Sequence, residues 1–273
     1  MKHLVAIGSV VASAGAANAQ FHELWDNNSY VRINITPGEP PNSRIGMDRW
    51  EVNGQNHLYS QWFWFRTDGM AREQRINDLP FIGATTTNTD FFDPRPDVFN
   101  GAWGSTNSFV IDVRFSLQGT LPGNQQSDIG EQIRITNFGP GRVFSFFQYC
   151  DFDLAGDIND DLVELVNPNA VVQADYLNNL LVAETVLTPS ATLSEVGIYA
   201  ATLIKLDDAN FDNLDGTTGP LVGRRDYTWA FQWDFFLPSG STFTISKDKH
   251  LVPAPGALAL LGLGGLLAGR RRR

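Results

Sequence analysis

Cysteine is almost absent from this chain of 273 residues, since Cys150 is the only one. An intramolecular disulfide is therefore excluded, and so is a zinc site built from cysteines. A lone thiol that takes part in neither is most often buried. We expect Cys150 to lie in the core of the fold.

Basic residues are scarce outside the two ends of the chain. Removing Lys2 and the four terminal arginines from the 20 basic residues leaves 15 against 30 acidic ones. Nucleic acid and anionic membrane surfaces both require a basic face, so neither is an expected partner of the body. An acidic body is compatible with cations or neutral glycans, although solubility alone accounts for the charge as well.

Common catalytic motifs are also missing. The sequence contains no GxSxG, no HExxH, no GxxxxGK and no strand-linked GxGxxG. The three histidines of the body, His22, His57 and His250, are dispersed along the chain. Carboxylate pairs such as Asp151 and Asp153 have the spacing that glycoside cleavage needs, but 30 acidic residues produce such pairs by chance. The sequence predicts no catalytic residue and leans against an enzyme.

Long hydrophobic runs are limited to the C-terminal end, where 14 uncharged residues separate Pro255 from Arg270. As a helix they would reach about 21 Å, whereas a bilayer core is about 30 Å thick and is usually spanned by about 17 residues or more. The run is a marginal membrane anchor. The arginines that follow it place that flank on the cytoplasmic side of the inner membrane.

The N-terminal end has the pattern of a secretory signal. Lys2 and His3 precede an apolar stretch, which is followed by Ala17-Asn18-Ala19, the small-x-small pattern that signal peptidase accepts. We expect cleavage between Ala19 and Gln20, with signal peptidase as a partner. The alternative is a buried N-terminal helix, which the many small residues disfavour.

The C-terminal end resembles the PEP-CTERM sorting signal of Gram-negative bacteria. The matching parts are Val252-Pro253-Ala254-Pro255, the Leu/Gly run, and the arginines, while the usual glutamate between the prolines is Ala254 here. The resemblance implies handling by an exosortase-type membrane enzyme, a transient anchor in the inner membrane, and a final place at the cell surface or outside the cell. Extracellular polysaccharide is an implied partner, and a plain C-terminal membrane anchor is the alternative. The sorting residues would be Val252, Pro253, Pro255, Arg270, Arg271, Arg272 and Arg273.

The body has the periodicity of β-strands. Apolar and polar residues alternate over 109–118 and 226–236, which is typical of half-buried strands. Shorter strands are predicted for YVRINI, EQIRITNF and STFTISKD, with Gly, Pro, Asn and Asp between them. One short helix is predicted around Tyr199 to Asp208. The fold class is all-β: a single antiparallel β-sandwich at 20–251 with one short helix, a signal peptide at 1–19, and an apolar C-terminal helix within the sorting segment 252–273.

The stretch HLYSQWFWFR is apolar on both faces of its predicted strand, with Trp62 and Trp64 on one of them. Either the strand is covered on both sides, or one face is an aromatic platform on which a glycan stacks. The covered strand is the favoured interpretation, and the platform is kept as a candidate glycan site.

The stretch FSFFQYCDFDLAGDINDDLVEL is rich in oxygen ligands. Its carboxylates and amides suit calcium, which binds six to eight oxygens, but the spacing does not match an EF-hand loop. A solvated turn is the alternative interpretation, since Asp and Asn favour turns. The candidate calcium ligands are Asp151, Asp153, Asp157, Asn159 and Asp161.

Three stretches of the body also resemble a group of exported β-rich proteins that carry PEP-CTERM tails: DRWEVNGQNHLYSQWFWFR, FFQYCDFDLAGDINDD and TWAFQWDFFLPSGSTFTISKDK. The resemblance implies a shared β-rich domain and no particular activity. We therefore expect a non-enzymatic structural or adhesive protein of the cell surface or extracellular matrix. A glycan-binding module and a polysaccharide-processing enzyme are the alternatives.

Overall fold

Two large β-sheets pack face to face in the structure, a computed structural model that describes residues 20–40, 43–91, 93–158, 161–223 and 225–254. Neighbouring strands are antiparallel, except that the strands Gly46–Val52 and Ser60–Thr67 meet in parallel at one end. The predicted all-β sandwich is confirmed. No helix among the described residues is long and apolar enough to cross a membrane.

Sheet A has the order β1-β2-β3-β5-β11-β17-β15, with β4 paired to β3 and β6 paired to β5. Its strands are β1 (Phe21–Asp26), β2 (Ser29–Asn34), β3 (Gly46–Val52), β4 (Gln55–Asn56), β5 (Ser60–Thr67), β6 (Gln74–Arg75), β11 (Arg142–Asp151), β15 (Leu193–Ile198) and β17 (Tyr227–Leu237).

Sheet B has the order β16-β12-β13-β14-β18-β10-β9-β8-β7. Its strands are β7 (Phe81–Thr87), β8 (Val98–Gly104), β9 (Phe109–Gly119), β10 (Ser127–Asn137), β12 (Asp161–Asn167), β13 (Ala170–Asp175), β14 (Leu180–Thr188), β16 (Leu221–Val222) and β18 (Thr242–Pro253).

The interior contains the apolar residues that alternate along the strands. Phe115 of β9 stacks on Phe63 of β5 across the two sheets, with ring centroids 6.1 Å apart. Of the outward positions of β9, Arg114 and Gln118 are exposed, Asp112 and Ser116 are half-buried, and Val110 is buried, so the predicted alternation holds over 111–118. Cys150 is buried, as predicted.

Part of the outer face of sheet A is covered by α1 (Ala201–Asp207), which confirms the predicted helix, and by the 3-10 turn η1 (Ile76–Asp78). A second 3-10 turn, η2 (Leu154–Gly156), contacts β4, β13 and β14. Beneath α1 and η1, Trp62 donates its indole N–H to Asn77 Oδ1 and Trp64 donates to Asp207 Oδ1, each at 2.8 Å. The strand is therefore covered on both faces, as the favoured interpretation predicted.

The first and last described strands adjoin, in sequence, the segments predicted to direct export. Strand β1 begins one residue after Gln20, while Ala17 and Ala19 lie outside the described residues. Strand β18 runs through Val252 and Pro253, which pair with Leu181 and Leu180 of β14. The first two residues of the predicted sorting segment thus belong to sheet B. The rest of the predicted sorting residues, Pro255, Arg270, Arg271, Arg272 and Arg273, lie outside the described residues.

Candidate functional site

Three carboxylates converge at one end of the outer face of sheet A. Asp151 ends β11, Asp153 follows it by two residues, and Asp226 immediately precedes β17. One carboxylate oxygen from each of the three lies within 4.8 Å of those of the other two. The sheet brings them together because Asp151 pairs with Thr228, so the end of β11 lies beside the start of β17. We call Asp151, Asp153 and Asp226 the carboxylate trio.

Burial and mutual repulsion disfavour the charged forms of the trio. Burial raises the pKa of Asp151 well above its usual range, and the charges of Asp226 and Asp153 raise it further. The pKa of Asp153 is raised to about 6, first by burial and then by Asp226, against the opposing effect of Arg44. Burial also raises the pKa of Asp226. These carboxyl groups therefore hold protons at a higher pH than ordinary aspartates do.

Several buried oxygens at the trio have no hydrogen-bond partner within the described part of the chain. Tyr149 donates its hydroxyl to Asp151 Oδ2 at 3.1 Å, but Asp151 Oδ1 accepts no hydrogen bond. Asp226 Oδ1 and Thr228 Oγ1 also lack a hydrogen bond of normal geometry among the described residues, although Thr228 lies close enough to the Tyr149 hydroxyl, and Asp226 to Asp151, for each pair to interact. Asp151 and Thr228 are both 0% exposed. Unsatisfied buried oxygens are unusual and require an explanation.

A cation and two tyrosines flank the trio. The guanidinium of Arg44 lies over the Tyr59 ring, 4.7 Å from its centroid, and donates to the backbone oxygen of Tyr59 at 3.0 Å. The rings of Tyr59 and Tyr199 meet edge to face with centroids 5.8 Å apart. Because Arg44 lowers the pKa of Asp153, its positive charge acts on the trio.

The structure places two of the five predicted calcium ligands in the carboxylate trio. Asp151 and Asp153 meet in the trio, whereas Asp161 begins β12 in the other sheet and accepts a hydrogen bond from the side chain of Gln173. Asp157 follows η2 and is half-buried, and Asn159 lies outside the described residues. Asp226 is not among the ligands that the sequence predicts, because alternation along one strand does not reveal which strands pair.

The two candidate stacking residues are closed to ligands in this structure. Trp62 and Trp64 are 0% and 1% exposed. Neither ring offers a face to a sugar, which does not fit the predicted stacking role. The physical reason is the cover formed by η1 and the C-terminal end of α1, where their hydrogen-bond partners Asn77 and Asp207 lie.

A polar groove crosses the outer face of sheet B. It consists of three adjoining cavities of about 400, 230 and 590 Å³. Arg114 and Gln132 line both the first and the middle cavity, while Ser116, Gly130 and Asp248 line both the middle and the last. We call this continuous depression over β9, β10 and β18 the sheet-B groove.

The two ends of the sheet-B groove differ in charge. The first cavity contains Arg114 and Arg134 beside Asp112, whose pKa is raised by burial in spite of Arg134. Small residues on β7 and β8, including Gly83 and Ala102, leave this cavity open. The last cavity is acidic and is lined by Asp26, Asp90, Asp97, Asp128 and Asp248, with His250 beside Asp128. Such densely placed hydrogen-bonding groups suit a polar, extended ligand.

Comparison by sequence finds no relatives: no family model matches the chain, and no curated protein matches it. Comparison of the fold does find similar solved structures. A bacterial glucoamylase complexed with acarbose matches with a TM-score of 0.54 at 7% identity, over 94% of this chain and 37% of the glucoamylase. The chain thus spans a little over a third of that enzyme's length.

Two further structures are similar over nearly their whole length. The Slr1438 protein from Synechocystis sp. PCC 6803 matches with a TM-score of 0.53 at 13% identity, over 90% of this chain and 100% of that protein. The GalM/aldose epimerase homologue from C. elegans has a TM-score of 0.44 at 9% identity, over 87% and 100% of the two chains. This last likeness is too weak to carry an argument.

At these identities the likeness shows the fold, and the fold corrects the functional expectation. The non-enzymatic structural or adhesive role expected from the sequence is wrong, because the sandwich has the fold found in a carbohydrate-active enzyme. The leaning against an enzyme is likewise not supported. The alternatives, sugar binding or sugar processing, agree better with this fold.

Proposed function

We propose that this protein is a sugar-binding domain that holds a neutral glycan in the sheet-B groove. The observation that carries the proposal is the continuous polar groove on a fold shared with a glucoamylase. The two end cavities, of about 400 and 590 Å³, have the size of ligand sites, roughly 300–1,000 Å³, and the middle cavity connects them.

The chemistry of the sheet-B groove matches sugar hydroxyls. The side chains of Arg114, Gln132 and Asp248 donate or accept hydrogen bonds and lie on three adjacent strands. Arg114 is directly opposite Gln132, and Asp248 is diagonal to Gln132 on the same face. Sugar hydroxyls both donate and accept, so they can satisfy such a mixed set. The acidic body and the acidic last cavity repel anionic polysaccharides, which favours a neutral glycan.

Binding is tested with the full chain on an array of neutral glucan, mannan and galactan oligosaccharides, followed by calorimetry on the strongest. We expect Arg114→Ala and Gln132→Ala each to weaken binding about tenfold, which corresponds to about 1.4 kcal/mol. Arg72→Ala is the matched control, because Arg72 is exposed and lies outside the groove. The proposal fails if none of these oligosaccharides binds, or if both groove variants bind as tightly as the wild type.

Sugar processing is a second candidate, supported by titratable groups inside the sheet-B groove. Asp112 has a raised pKa, and Asp128 lies beside His250, so the groove contains groups able to exchange protons. Incubation of the bound oligosaccharide followed by product analysis tests this. Products that form with wild type and not with Asp112→Asn support processing, and an unchanged oligosaccharide limits the function to binding.

We also propose that the chain is exported and held at the inner membrane by its C-terminal end before any processing by an exosortase-type enzyme. The support is the pair of end signals in the sequence, with the arginines following the apolar run. Mass spectrometry of the envelope-associated protein tests it. An attached Met1 would contradict the signal peptide, and an intact arginine end would favour a plain anchor over exosortase processing.

A further inference from the structure

We propose that the carboxylate trio of Asp151, Asp153 and Asp226 binds a calcium ion, with the hydroxyl of Thr228 as a further ligand. Asp226 and Thr228 are not in the stretch that suggested calcium from the sequence. The site is therefore formed by two strands of sheet A and not by a single loop.

The first argument is the convergence of oxygens. Three carboxylates with oxygens within 4.8 Å of one another offer between three and six ligand atoms, depending on how many bind through both oxygens. Thr228 lies directly opposite Asp151 in the strand register, so its side chain is on the same face of sheet A. Together they approach the six to eight oxygens that calcium takes.

The second argument is the set of buried oxygens without partners. Asp151 Oδ1 and Thr228 Oγ1 belong to side chains that are 0% exposed, and neither atom has a hydrogen-bond partner among the described residues. A metal ion at the centre would satisfy all of them at once.

The third argument is charge. The trio carries three negative charges when ionised, and Arg44 is the positive group that acts on Asp153. The negative charge of the ionised trio is unfavourable at this largely buried position, and for that reason the pKa values of these carboxyl groups are raised. A divalent cation compensates it. Calcium accepts irregular coordination, whereas magnesium requires a near-ideal octahedron, so calcium fits the uneven burial of these ligands better.

The test uses the full chain after treatment with a chelator, melted in calcium chloride and again in chelator. A ligand that binds only the folded state at a hundredfold excess over its Kd should raise the Tm by about 5 °C or more in a domain of this size. We expect this shift in wild type and its loss in Asp153→Asn and Asp226→Asn. Magnesium chloride should give a much smaller shift.

The matched control is Asp157→Asn, an acid of the same segment that is not in the trio. We expect it to keep the calcium shift. The proposal is overturned if wild type melts equally in calcium and in chelator, if both trio variants keep the shift, or if magnesium acts as strongly as calcium.

A second measurement covers the case in which a trio variant does not fold. Terbium, a luminescent substitute for calcium, is sensitised by tyrosines, and Tyr149, Tyr59 and Tyr199 lie around the trio. We expect wild type to enhance terbium emission and calcium to displace it. Absence of enhancement, or emission that calcium does not reduce, would overturn the proposal. Neither trio variant alters the sheet-B groove, so failure here leaves the glycan measurement unaffected.

Discussion

Trp229 donates its indole N–H to a carboxylate oxygen of Glu184 at 2.8 Å, between the two sheets of the sandwich. Glu184 also forms ion pairs with Lys247 and Lys249, and both lysines pair with Glu131. All four ionic side chains are 0% exposed. Although burial alone would raise it, the pKa of Glu184 is lowered to about 2 because the two lysines stabilise its charge.

Removing one charge from this interior cluster should be costly. Glu184→Gln leaves two buried lysines with a single carboxylate, Glu131, between them, and we expect the free energy of unfolding to fall by about 3–5 kcal/mol because one buried positive charge is then uncompensated. Urea unfolding measures the change. Glu164→Gln, at a half-exposed position of β12, is the control and should stay within about 0.5 kcal/mol of wild type. A loss below about 1 kcal/mol for Glu184→Gln would contradict the expectation.

The buried His57 should make stability fall in mild acid. Its Nδ1 accepts the Ala155 amide at 3.0 Å, and burial lowers its pKa from 6.5 to about 4. Between these pH values the unfolded chain binds a proton that the folded chain does not, so stability falls as the pH drops from about 6.5 to 4. The loss is about 3 kcal/mol at 1.36 kcal/mol per pKa unit.

Comparison with His57→Gln isolates this effect, because glutamine retains an acceptor and does not titrate. Urea unfolding of both proteins at pH 7, 5.5 and 4 gives the measurement. As the pH falls from 7 to 4, we expect the unfolding free energy of wild type to decrease more than that of His57→Gln. Parallel pH profiles would contradict it.

Gly46, the first residue of β3, should tolerate no side chain. It has φ +75°, and a Cβ there would lie 2.2 Å from Trp62 Cε3 and 2.3 Å from the Gln61 backbone oxygen. Gly46→Ala should destabilise the fold by about 3 kcal/mol or more, since it combines backbone strain with overpacking. Gly54→Ala is matched in conformation, with φ +79°, but meets no atom within 4 Å.

Thermal melting of the two glycine variants separates strain from crowding. Gly54→Ala should show the strain alone, about 1–2 kcal/mol. Equal destabilisation of both variants would mean that the contact of Gly46 with Trp62 is not rigid.

The buried tryptophans should matter for stability and not for glycan binding. Trp62→Phe leaves Asn77 Oδ1 buried without its donor and should cost about 1–3 kcal/mol. Trp64→Phe should cost less, because Asp207 keeps its bonds to Arg75. Glycan affinity, measured by calorimetry on the folded variants, should equal that of wild type. A selective loss of affinity would restore the stacking role for these residues.

The strands and their inward faces were predictable because alternation of residue type is a local signal. Phe109 to Leu117 show the face that packs inward, and α1 follows from its own short apolar pattern. The ionic interior was not predictable. Lys247 and Lys249 alternate with Ser246 and Asp248, so both faces of β18 are polar and the sequence does not distinguish the buried one.

Two of the three residues of the carboxylate trio were predictable from the sequence. Asp151 and Asp153 are two positions apart, and the alternation of an extended chain places such side chains on the same face. Asp226 joins them only because β17 pairs with β11, a contact between residues 75 apart in the chain. The sheet-B groove depends likewise on the order β18-β10-β9-β8-β7, since each strand alone provides only a row of polar residues.

Strand β18 is the last described strand of the chain, yet it lies inside sheet B, paired with β14 on one side and β10 on the other. It is the only strand that joins the four strands on one side of it to the four on the other. During synthesis these halves cannot be joined until β18 has emerged. Until then β14 and β10 each expose an edge open to non-native pairing, so the growing chain is most prone to aggregate in the interval before β18 has emerged.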